Sequence, residues 1–421
     1  MKKFCLMVSA LLLSVSVAHA DSVVVDWNIH TATSIAAGAR RGPSGIFDFA
    51  MVHAAVSDAV QAYEGRFARY CDGSVTPQGS PIAAVAGAAH AVLSALFPAQ
   101  ATSLNTKLQQ SLDKYDVANN PGVATGQAAA ACVLQRLAAD NAKRAEPDNF
   151  FGGNGVGEWR PTVLTPPAQG SQPVPMTASF IATFDPFTLK DPAQFRASNP
   201  PPKLQSGAYA KAYEEVRLLG RKTDSTRTQE QTNIGTFFAD GPPGYWNRAM
   251  QRLATDPARA LTLGDSARMF ALVNLAMADA VISSWDSKIA WNFWRPVTAI
   301  REGHLDGNPN TIPDPLWEPL FATPNYPDYT SGANNLAGAA ATMLANVFGT
   351  DEVAFTLDSL TIAAPNNVRP YSRFSDAGRD VVDARIYMGI HFRFADAVAY
   401  RQGTHVANWA FGKFLRPIGG N

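Results

Sequence analysis

The sequence predicts a mostly all-α protein in which two related helix bundles pack together and are joined by long Pro- and Gly-rich loops. Apolar and small residues recur at helical spacing in several segments, whereas strand-like alternation is scarce. Two of the helical segments also resemble each other. A chain of 421 residues, 46% of them hydrophobic, is long enough to bury a large core.

The first twenty residues have the pattern of a secretory signal peptide. Lys2 and Lys3 provide a charged start, residues 4–17 form an apolar run, and residues 18–20 give the small-residue pattern Ala-His-Ala that precedes cleavage. We therefore expect cleavage near Ala20 and a mature protein that is secreted or periplasmic.

The charges of the chain balance. There are 35 basic and 35 acidic residues, and loss of the two lysines of the signal peptide leaves 33 against 35, a net charge of about −2. We expect no nucleic-acid partner. We also predict no transmembrane segment in the mature chain, because the apolar run of the signal is too short to span a bilayer and the rival apolar segment, residues 82–97, is Ala-rich and carries His90. Any bound anion must be held by a local cluster of cations. The oligomeric state is left open.

Two cysteines, Cys71 and Cys132, remain once Cys5 is removed with the signal peptide. Export to an oxidising compartment would permit a disulfide between them, and we predict that bond. Two buried free thiols are the alternative.

Helical spacing divides the chain into three parts. After the signal peptide, we expect an N-terminal bundle over 21–145, a Pro- and Gly-rich connection with helices over 146–260, and a C-terminal helical domain over 261–421. The clearest helical segments are 46–63, 82–97, 123–137, 267–285 and 336–348.

An internal similarity indicates that the two bundles are related. Residues 49–60 and 270–281 are identical at seven of twelve positions, and each segment carries an Asp, Asp58 or Asp279, within an apolar helix. Coincidence between two Ala-rich helices is the alternative. The shared Asp favours duplication, because an unpaired buried carboxylate is costly.

Lys288 and Arg295 are the first candidate anion-binding pair. They lie seven residues apart, close to two helical turns, so both are expected to project from one face of a helix that Pro296 ends or kinks. The residues between them are largely apolar, which favours a partly desolvated site for an oxyanion. Two solvated cations on a surface helix are the alternative.

Two further elements carry polar groups suited to an anion. Ser331 and Gly332 open a predicted helix, where a hydroxyl and backbone N–H groups can face an anion, although capping of that helix explains an isolated Ser equally well. Arg385 and His391 would point about 120° apart on one helix. They can meet at one ligand only if the chain changes direction between them, and Gly389 is the natural place for that.

Taken in this order, the three elements resemble the tripartite motif of the phosphatidic acid phosphatase type 2 (PAP2) and vanadium haloperoxidase superfamily. That motif reads Lys-x6-Arg-Pro, then Pro-Ser-Gly-His, then Ser-Arg-x5-His. Here the elements are residues 288–296, residues 330–333 (Thr-Ser-Gly-Ala) and residues 384–391. Further similarity to soluble bacterial haloperoxidase-like members lies in residues 157–162, 194–196 and 206–209.

The resemblance implies one pocket that holds vanadate or phosphate. Lys288, Arg295 and Arg385 would neutralise the oxygens, and Ser331 and the Gly332 amide would donate hydrogen bonds. His391 would be the axial ligand of vanadium in a haloperoxidase, whose cofactor is vanadate. In a phosphatase, which needs no cofactor, His391 would be the nucleophile that attacks phosphorus.

The sequence departs from the family motif at Ala333, where relatives have a His that acts as general acid or base. Loss of such a group is worth on the order of 10²–10⁴ in rate, so either activity is weakened or another residue takes the role. Candidates for that role are His304, Asp328 and His53. Thr330 and Ala384, in place of Pro and Ser, are milder departures.

Three functions are consistent with these residues. The first is a vanadium-dependent haloperoxidase-like oxidoreductase that uses peroxide and halide. The second is a periplasmic acid phosphatase with a phospho-His391 intermediate. The third, favoured by Ala333, is an oxyanion-binding protein without turnover. In each case the expected partner is a small-molecule substrate or an oxyanion.

Overall fold

The structure is a computed structural model that describes residues 17–40, 42–71, 73, 75–161, 174–259, 261–362 and 366–419, with only the backbone described for residues 17–22. This part of the chain contains fourteen α-helices and one two-stranded sheet. The predicted mostly all-α class is therefore confirmed. The signal-peptide prediction falls largely on residues 1–16, which lie outside the described residues.

The first six helices cover the N-terminal third of the chain: α1 Val17–Ala37, α2 Gly45–Glu64, α3 Pro81–Leu96, α4 Ala101–Lys114, α5 Gly122–Arg136 and α6 Ala138–Lys143. The other eight are α7 Gly207–Leu219, α8 Gln229–Phe237, α9 Pro242–Thr255, α10 Leu263–Trp291, α11 Pro296–Arg301, α12 Gly332–Phe348, α13 Phe374–Tyr387 and α14 Arg393–Lys413. The strands β1 Phe355–Asp358 and β2 Val368–Tyr371 pair antiparallel. All five of the segments with clear helical spacing are helices, namely α2, α3, α5, α10 and α12.

The connection between α6 and α7 is irregular apart from a short 3₁₀ turn at Ser179–Thr183, as its Pro and Gly content predicts. Residues 162–173 of this connection lie outside the described residues. Helices α7, α8 and α9 follow it before α10 begins. The three-part division of the chain stays a prediction.

Two groups of three helices have the same arrangement. Helices α2, α3 and α5 pack on one another, α10, α12 and α14 do the same, and α2 packs against α10 to join the groups. The similarity extends to α3 and α12, where residues 80–97 and 331–348 are identical at seven of eighteen positions. Both groups contain the same close helix contact at a glycine, Gly126 of α5 against α3 and Gly403 of α14 against α12.

Each of the two shared aspartates accepts hydrogen bonds from the backbone of a loop. Asp58 accepts from the N–H groups of residues 70–71 at 2.6 and 2.9 Å. Asp279 accepts from those of residues 187–188, both at 2.7 Å. These bonds offset the cost of burying a carboxylate, and they tie each loop to its bundle.

Cys71 and Cys132 form a disulfide, with Cα atoms 6.2 Å apart. The predicted bond is thus confirmed, and the alternative of two free thiols is wrong. The bond joins α5 to the chain that follows α2.

Helix α10, of 29 residues, is long and apolar enough to cross a membrane. Helix α3 together with residues 98–114 also passes that test, but with a bend of 120°. Because 94% of the apolar window of α10 is buried inside the protein, we interpret α10 as the central core helix of the two bundles.

Candidate oxyanion site

The six residues of the predicted pocket lie at helix ends in and around the C-terminal bundle. Lys288 is in the last turn of α10, Arg295 immediately precedes α11, Ser331 and Gly332 begin α12, Arg385 is in the last turn of α13, and His391 lies between α13 and α14. All six are buried. Helix ends bring both cationic side chains and unpaired backbone N–H groups to one place.

Lys288 and Arg295 do not share a helix, so the prediction that they project from one helical face is wrong. Helix α10 ends at Trp291, and the next residue, Asn292, adopts a left-handed conformation with φ of 44°. Pro296 then begins α11 instead of ending α10, because the missing N–H of proline costs nothing at a first helical position. The two cations still meet, since each lies 4.8 Å from the centre of the Tyr326 ring.

Backbone carbonyls hold the Lys288 ammonium. Its Nζ donates to the carbonyl oxygens of Pro327 at 2.6 Å and Asp328 at 3.3 Å. Burial, and then the neighbouring charge of Arg295, lowers the pKa of Lys288 well below its usual value. An anion bound here would offset the cost of burying the charged ammonium and so raise the pKa of Lys288 again.

Arg295 is completely buried and spans the pocket. Its Nε donates to the Tyr326 carbonyl at 2.7 Å, and its Nη1 donates to the Ile390 carbonyl at 2.6 Å and lies 3.0 Å from His391 Nε2. Its Nη2 has no hydrogen-bond partner among the described residues.

Asp328 orients the His391 imidazole. His391 Nδ1 donates to Asp328 Oδ1 at 2.7 Å, which leaves the lone pair on Nε2. Burial lowers the pKa of His391 well below its usual value, and the charges of Arg295 and Lys288 lower it further, so the imidazole is neutral. Burial raises the pKa of Asp328 to about 7, against the opposing effects of the same two cations.

The chain changes direction between Arg385 and His391 at Gly389, as predicted. Gly389 has φ of 79°, and a Cβ there would lie 2.3 Å from the Gly220 carbonyl oxygen, so this position favours glycine. Arg385 Nη2 donates to the Phe238 carbonyl, while its Nε has no partner among the described residues. Arg385 is near enough for its charge to lower the pKa of His391.

The Ser331 hydroxyl does not cap α12, although Ser331 stands at the capping position. Its Oγ instead accepts a hydrogen bond from Asn334 Nδ2 at 3.3 Å. Gly332 follows with no side chain, and a Cβ there would lie 2.9 Å from the Trp285 ring. As the first residue of the helix, Gly332 has an N–H group with no acceptor within α12.

Of the three candidates to replace the missing His, the structure brings only Asp328 into contact with a predicted site residue. His304 is exposed in a turn after α11. His53 lies in α2, where it is bonded to Asn28 at 2.8 Å and stacks on Phe270.

Sequence reasoning missed three residues that shape the site, namely Tyr326, Asn334 and Asp396. Tyr326 supplies the ring and the carbonyl that hold the two cations. Asn334 directly follows Ala333, and Asp396 lies five residues after His391. A polar residue within the apolar start of a helix was the signal that would have identified Asn334, whereas no such signal marks Tyr326 or Asp396.

The residues present fit a tetrahedral or trigonal bipyramidal oxyanion. Two guanidinium donors, Arg295 Nη2 and Arg385 Nε, are buried without partners among the described residues, and such donors are costly unless a ligand satisfies them. Burial also raises the pKa of Asp328 and Asp396, which favours their neutral forms and leaves the positive charge of Arg295 and Arg385 poorly compensated.

Comparison with known proteins shows similarity to vanadium haloperoxidases in part of the sequence and in the fold. The profile of the VCPO second helical-bundle domain matches residues 268–420. The vanadium chloroperoxidase of Curvularia inaequalis is 29% identical over 269 residues, a match that covers 48% of this chain and 43% of that protein. The chain thus spans less than half the length of this curated relative.

Solved structures share the fold over nearly the whole chain. The crystal structure of the first bacterial vanadium-dependent iodoperoxidase superimposes with a TM-score of 0.76 at 24% identity, covering 96% of this chain and 99% of the other. A holo-type bacterial vanadium-dependent chloroperoxidase gives a TM-score of 0.71 at 18% identity, covering 88% and 91%. Residues 268–420 thus match the second helical-bundle domain of the vanadium chloroperoxidases, and the chain as a whole shares the fold of solved bacterial vanadium haloperoxidases.

Proposed function

We propose that this protein is a vanadium haloperoxidase-like enzyme that binds vanadate and uses peroxide to oxidise a halide. The observation that carries the proposal is that Lys288, Arg295 and Arg385 are all buried and near enough to His391 to lower its pKa, with two guanidinium donors that lack partners among the described residues. The similarity to vanadium haloperoxidases supports the same chemistry.

Each site residue has a role in this proposal. Lys288, Arg295 and Arg385 would neutralise the oxygens of vanadate, Ser331 and the Gly332 N–H would donate hydrogen bonds, and His391 Nε2 would be the ligand to vanadium. When bound, vanadate supplies the Lewis acidity that activates peroxide for two-electron oxidation of a halide.

The protein prepares His391 for this role before any ligand arrives. Asp328 accepts the Nδ1 hydrogen, which fixes the tautomer and directs the Nε2 lone pair towards Arg295 Nη1. Burial keeps the imidazole neutral, as a ligand must be. The Arg295 guanidinium would have to give up its contact with His391 Nε2 for vanadate to bind there. It would then contact a vanadate oxygen instead.

We also propose that the enzyme works outside the cytoplasm on small molecules. The signal-peptide pattern over residues 1–20 supports export, and the Cys71–Cys132 disulfide fits an oxidising compartment. The balanced charge gives no reason to expect nucleic acid as a partner.

A second candidate function, oxyanion binding without turnover, is favoured by Ala333. The methyl group at this position cannot transfer a proton, whereas every predicted anion-holding residue is present. Binding and turnover are therefore separable properties of this pocket.

Assays of the purified protein with and without added vanadate distinguish these functions. We expect peroxide-dependent halide oxidation that requires vanadate and is lost in Arg385→Ala. Arg379→Ala is the matched control, because Arg379 lies on the same helix with its side chain 70% exposed. Phosphate ester hydrolysis that vanadate inhibits would instead indicate a phosphatase with His391 as nucleophile, and vanadate binding without either activity would indicate a binding protein.

A further inference from the structure

A short segment, residues 326–331, holds three of the predicted site side chains. Arg295 Nε donates to its first carbonyl at 2.7 Å, and Lys288 Nζ donates to the next two at 2.6 and 3.3 Å. His391 Nδ1 donates to the carboxyl group of Asp328, at 2.7 Å. The position of the 326–331 segment therefore helps to set where the two cations and the imidazole lie.

Thr330, near the end of the 326–331 segment, is bonded to all three helices of the C-terminal group. Its Oγ1 donates to Gln402 Oε1 of α14 at 2.8 Å. Asn335 Nδ2 of α12 donates to the same Gln402 oxygen at 2.7 Å and to Thr330 Oγ1 at 3.2 Å. Ser284 Oγ of α10 donates to the Thr330 carbonyl at 3.2 Å. All four residues are buried.

The Gln402 amide is held in one orientation. Its Nε2 donates to the carbonyls of Phe195 at 2.8 Å and Ser283 at 3.1 Å, and it lies 3.0 Å from the Oγ of Ser287, the residue before Lys288. A carbonyl oxygen can only accept, so the nitrogen of the amide must lie on this side and its oxygen must face the 326–331 segment. The same amide thus joins the last turns of α10, which carry the buried lysine, to the segment that holds the lysine ammonium.

Close packing of α12 and α14 does not need this polar contact. A Cβ on Gly403, the residue after Gln402, would lie 2.0 Å from the carbonyl oxygen of Asn335, so the two helix backbones already touch there. Hydrogen bonds add direction to such a contact, because they form only over a narrow range of distances and angles. The bond between Thr330 and Gln402 therefore determines where the 326–331 segment lies rather than whether the helices pack.

We propose that Gln402 and Thr330 are positioning residues, whose hydrogen bond fixes the 326–331 segment against the end of α10 and so holds the two cations and the imidazole in the arrangement that binds an oxyanion. Neither side chain has to touch the anion. This inference rests on the proposed function only in that the pocket must bind an oxyanion. It requires no turnover, so inorganic phosphate serves as the probe.

Two substitutions of Thr330 separate the hydroxyl from the shape of the side chain. Thr330→Val keeps the shape and should weaken phosphate binding about fivefold in calorimetric titration, the range of one lost hydrogen bond between neutral groups. Thr330→Ser keeps the hydroxyl and should bind within roughly twofold of wild type. A residue that only filled space would give the opposite order, because Ser leaves a gap and Val does not. Thr342→Val is the matched control, because Thr342 bonds Thr404 at 3.1 Å between α12 and α14 and should leave the affinity unchanged.

A double-mutant cycle tests whether the two residues act together. Gln402→Met has a side chain of similar length without the amide, and we expect it to weaken phosphate binding about fivefold or more. Adding Thr330→Val to it should cost less than roughly twofold more, because the bond is already lost. Thermal unfolding of each variant shows that the proteins compared are folded. If Gln402→Met does not fold, the two substitutions of Thr330 decide the question alone.

The outcomes separate this inference from the proposed function. Wild-type affinity in folded Thr330→Val, equal losses in Thr330→Val and Thr330→Ser, or losses that simply add in the double variant would overturn the positioning role alone. A loss in Thr342→Val as large as that in Thr330→Val would do the same. Wild-type protein that binds neither phosphate nor vanadate would overturn both the positioning role and the proposed function.

Discussion

Burial shifts the pKa values of the titratable residues in this site more than any single neighbouring group does. Lys288 and His391 each have a pKa well below the usual value because the protein excludes water from them, and Asp328 has a pKa raised to about 7 for the same reason. A pocket of this kind stabilises an anion strongly, because the anion restores favourable electrostatics to groups that burial has left unsatisfied.

Ala333 is the residue at which binding and turnover should separate. We predict that Ala333→His raises peroxide-dependent halide oxidation, or phosphate ester hydrolysis, by on the order of 10²-fold, because a positioned acid or base contributes about 10²–10⁴. Steady-state turnover and vanadate affinity are the measurements, and the affinity should hardly change. A variant that folds and binds vanadate but gains no activity would contradict the prediction.

Ala333→His would bring no gain in activity if Asp328 already transfers the proton. In that case Asp328→Asn should abolish activity in the wild-type background. His304→Asn is the control, because His304 is exposed and should not matter.

We predict that anion affinity falls as pH rises through about 7. Above its pKa of about 7 Asp328 carries a negative charge, which opposes an anion, and below that pKa the charge is lost. Deprotonation of Lys288 at higher pH acts in the same direction. Sulfate is a suitable probe, since its own charge is constant over this range.

Calorimetry at about pH 6 and about pH 8 should show several-fold tighter sulfate binding at the lower pH. The dependence should be shallower in Asp328→Asn, which cannot acquire the charge. Tighter binding at the higher pH would show that this assignment of charges is wrong.

Residue types at motif spacing were enough to name Lys288, Arg295, Arg385 and His391, because their chemistry is visible in sequence. Tyr326 and Asp396 were not identifiable in this way. Their importance depends on which helix ends meet, and one sequence does not contain that information without the fold.

At the scale of the helix pair, the same contact recurs in both bundles. A Cβ on Gly126 of α5 would lie 2.0 Å from the carbonyl oxygen of Ala84 in α3, and one on Gly403 of α14 would lie 2.0 Å from that of Asn335 in α12. These glycines let the helix backbones approach closely. In the C-terminal pair, the close approach brings Asp396 within reach of Asn334.

We predict that Gly403→Ala destabilises the protein by about 1–3 kcal/mol, because the added methyl group meets backbone atoms that cannot move aside. Gly412→Ala is the matched control on the same helix, since a Cβ there has nothing within 4 Å. That control should be neutral or stabilising by up to about 1 kcal/mol. Urea unfolding of both variants provides the comparison, and equal stabilities would contradict the close-packing account.

Periodicity predicted the five helices with the strongest apolar spacing, and it failed where a helix ends early. The stretch from Lys288 to Arg295 reads as continuous helix, yet Asn292 adopts a left-handed conformation and Pro296 starts a new helix. The competing factor is tertiary: the backbone of residues 292–294 pairs with that of residues 157–159 from the Pro- and Gly-rich connection.

At the scale of the whole molecule, the two bundles have the same architecture but different chemistry. The C-terminal bundle provides the anchoring elements of the site, whereas the N-terminal bundle carries the disulfide between Cys71 and Cys132. The duplication inferred from residues 49–60 and 270–281 agrees with the way α2 packs against α10.

We predict that loss of the disulfide in Cys71→Ser/Cys132→Ser lowers the free energy of unfolding by roughly 4 kcal/mol, as chain entropy gives for a bond spanning 61 residues. Urea unfolding with and without reductant measures it. Reductant should shift the wild-type midpoint and leave that of the double variant unchanged. Thiol titration of the denatured, unreduced secreted protein should find none, and two thiols would contradict the bond.

The central claim, that Lys288, Arg295, Ser331, Gly332, Arg385 and His391 form one vanadate pocket, is tested most directly by titrating vanadate into the purified protein. We predict one vanadate bound per chain, in competition with phosphate. Binding should be weakened roughly 10- to 100-fold in Arg385→Ala, which loses a charge-assisted hydrogen bond, and unaffected in Arg379→Ala. Wild-type protein that binds no vanadate, or vanadate binding that is indifferent to Arg385→Ala, would contradict the claim.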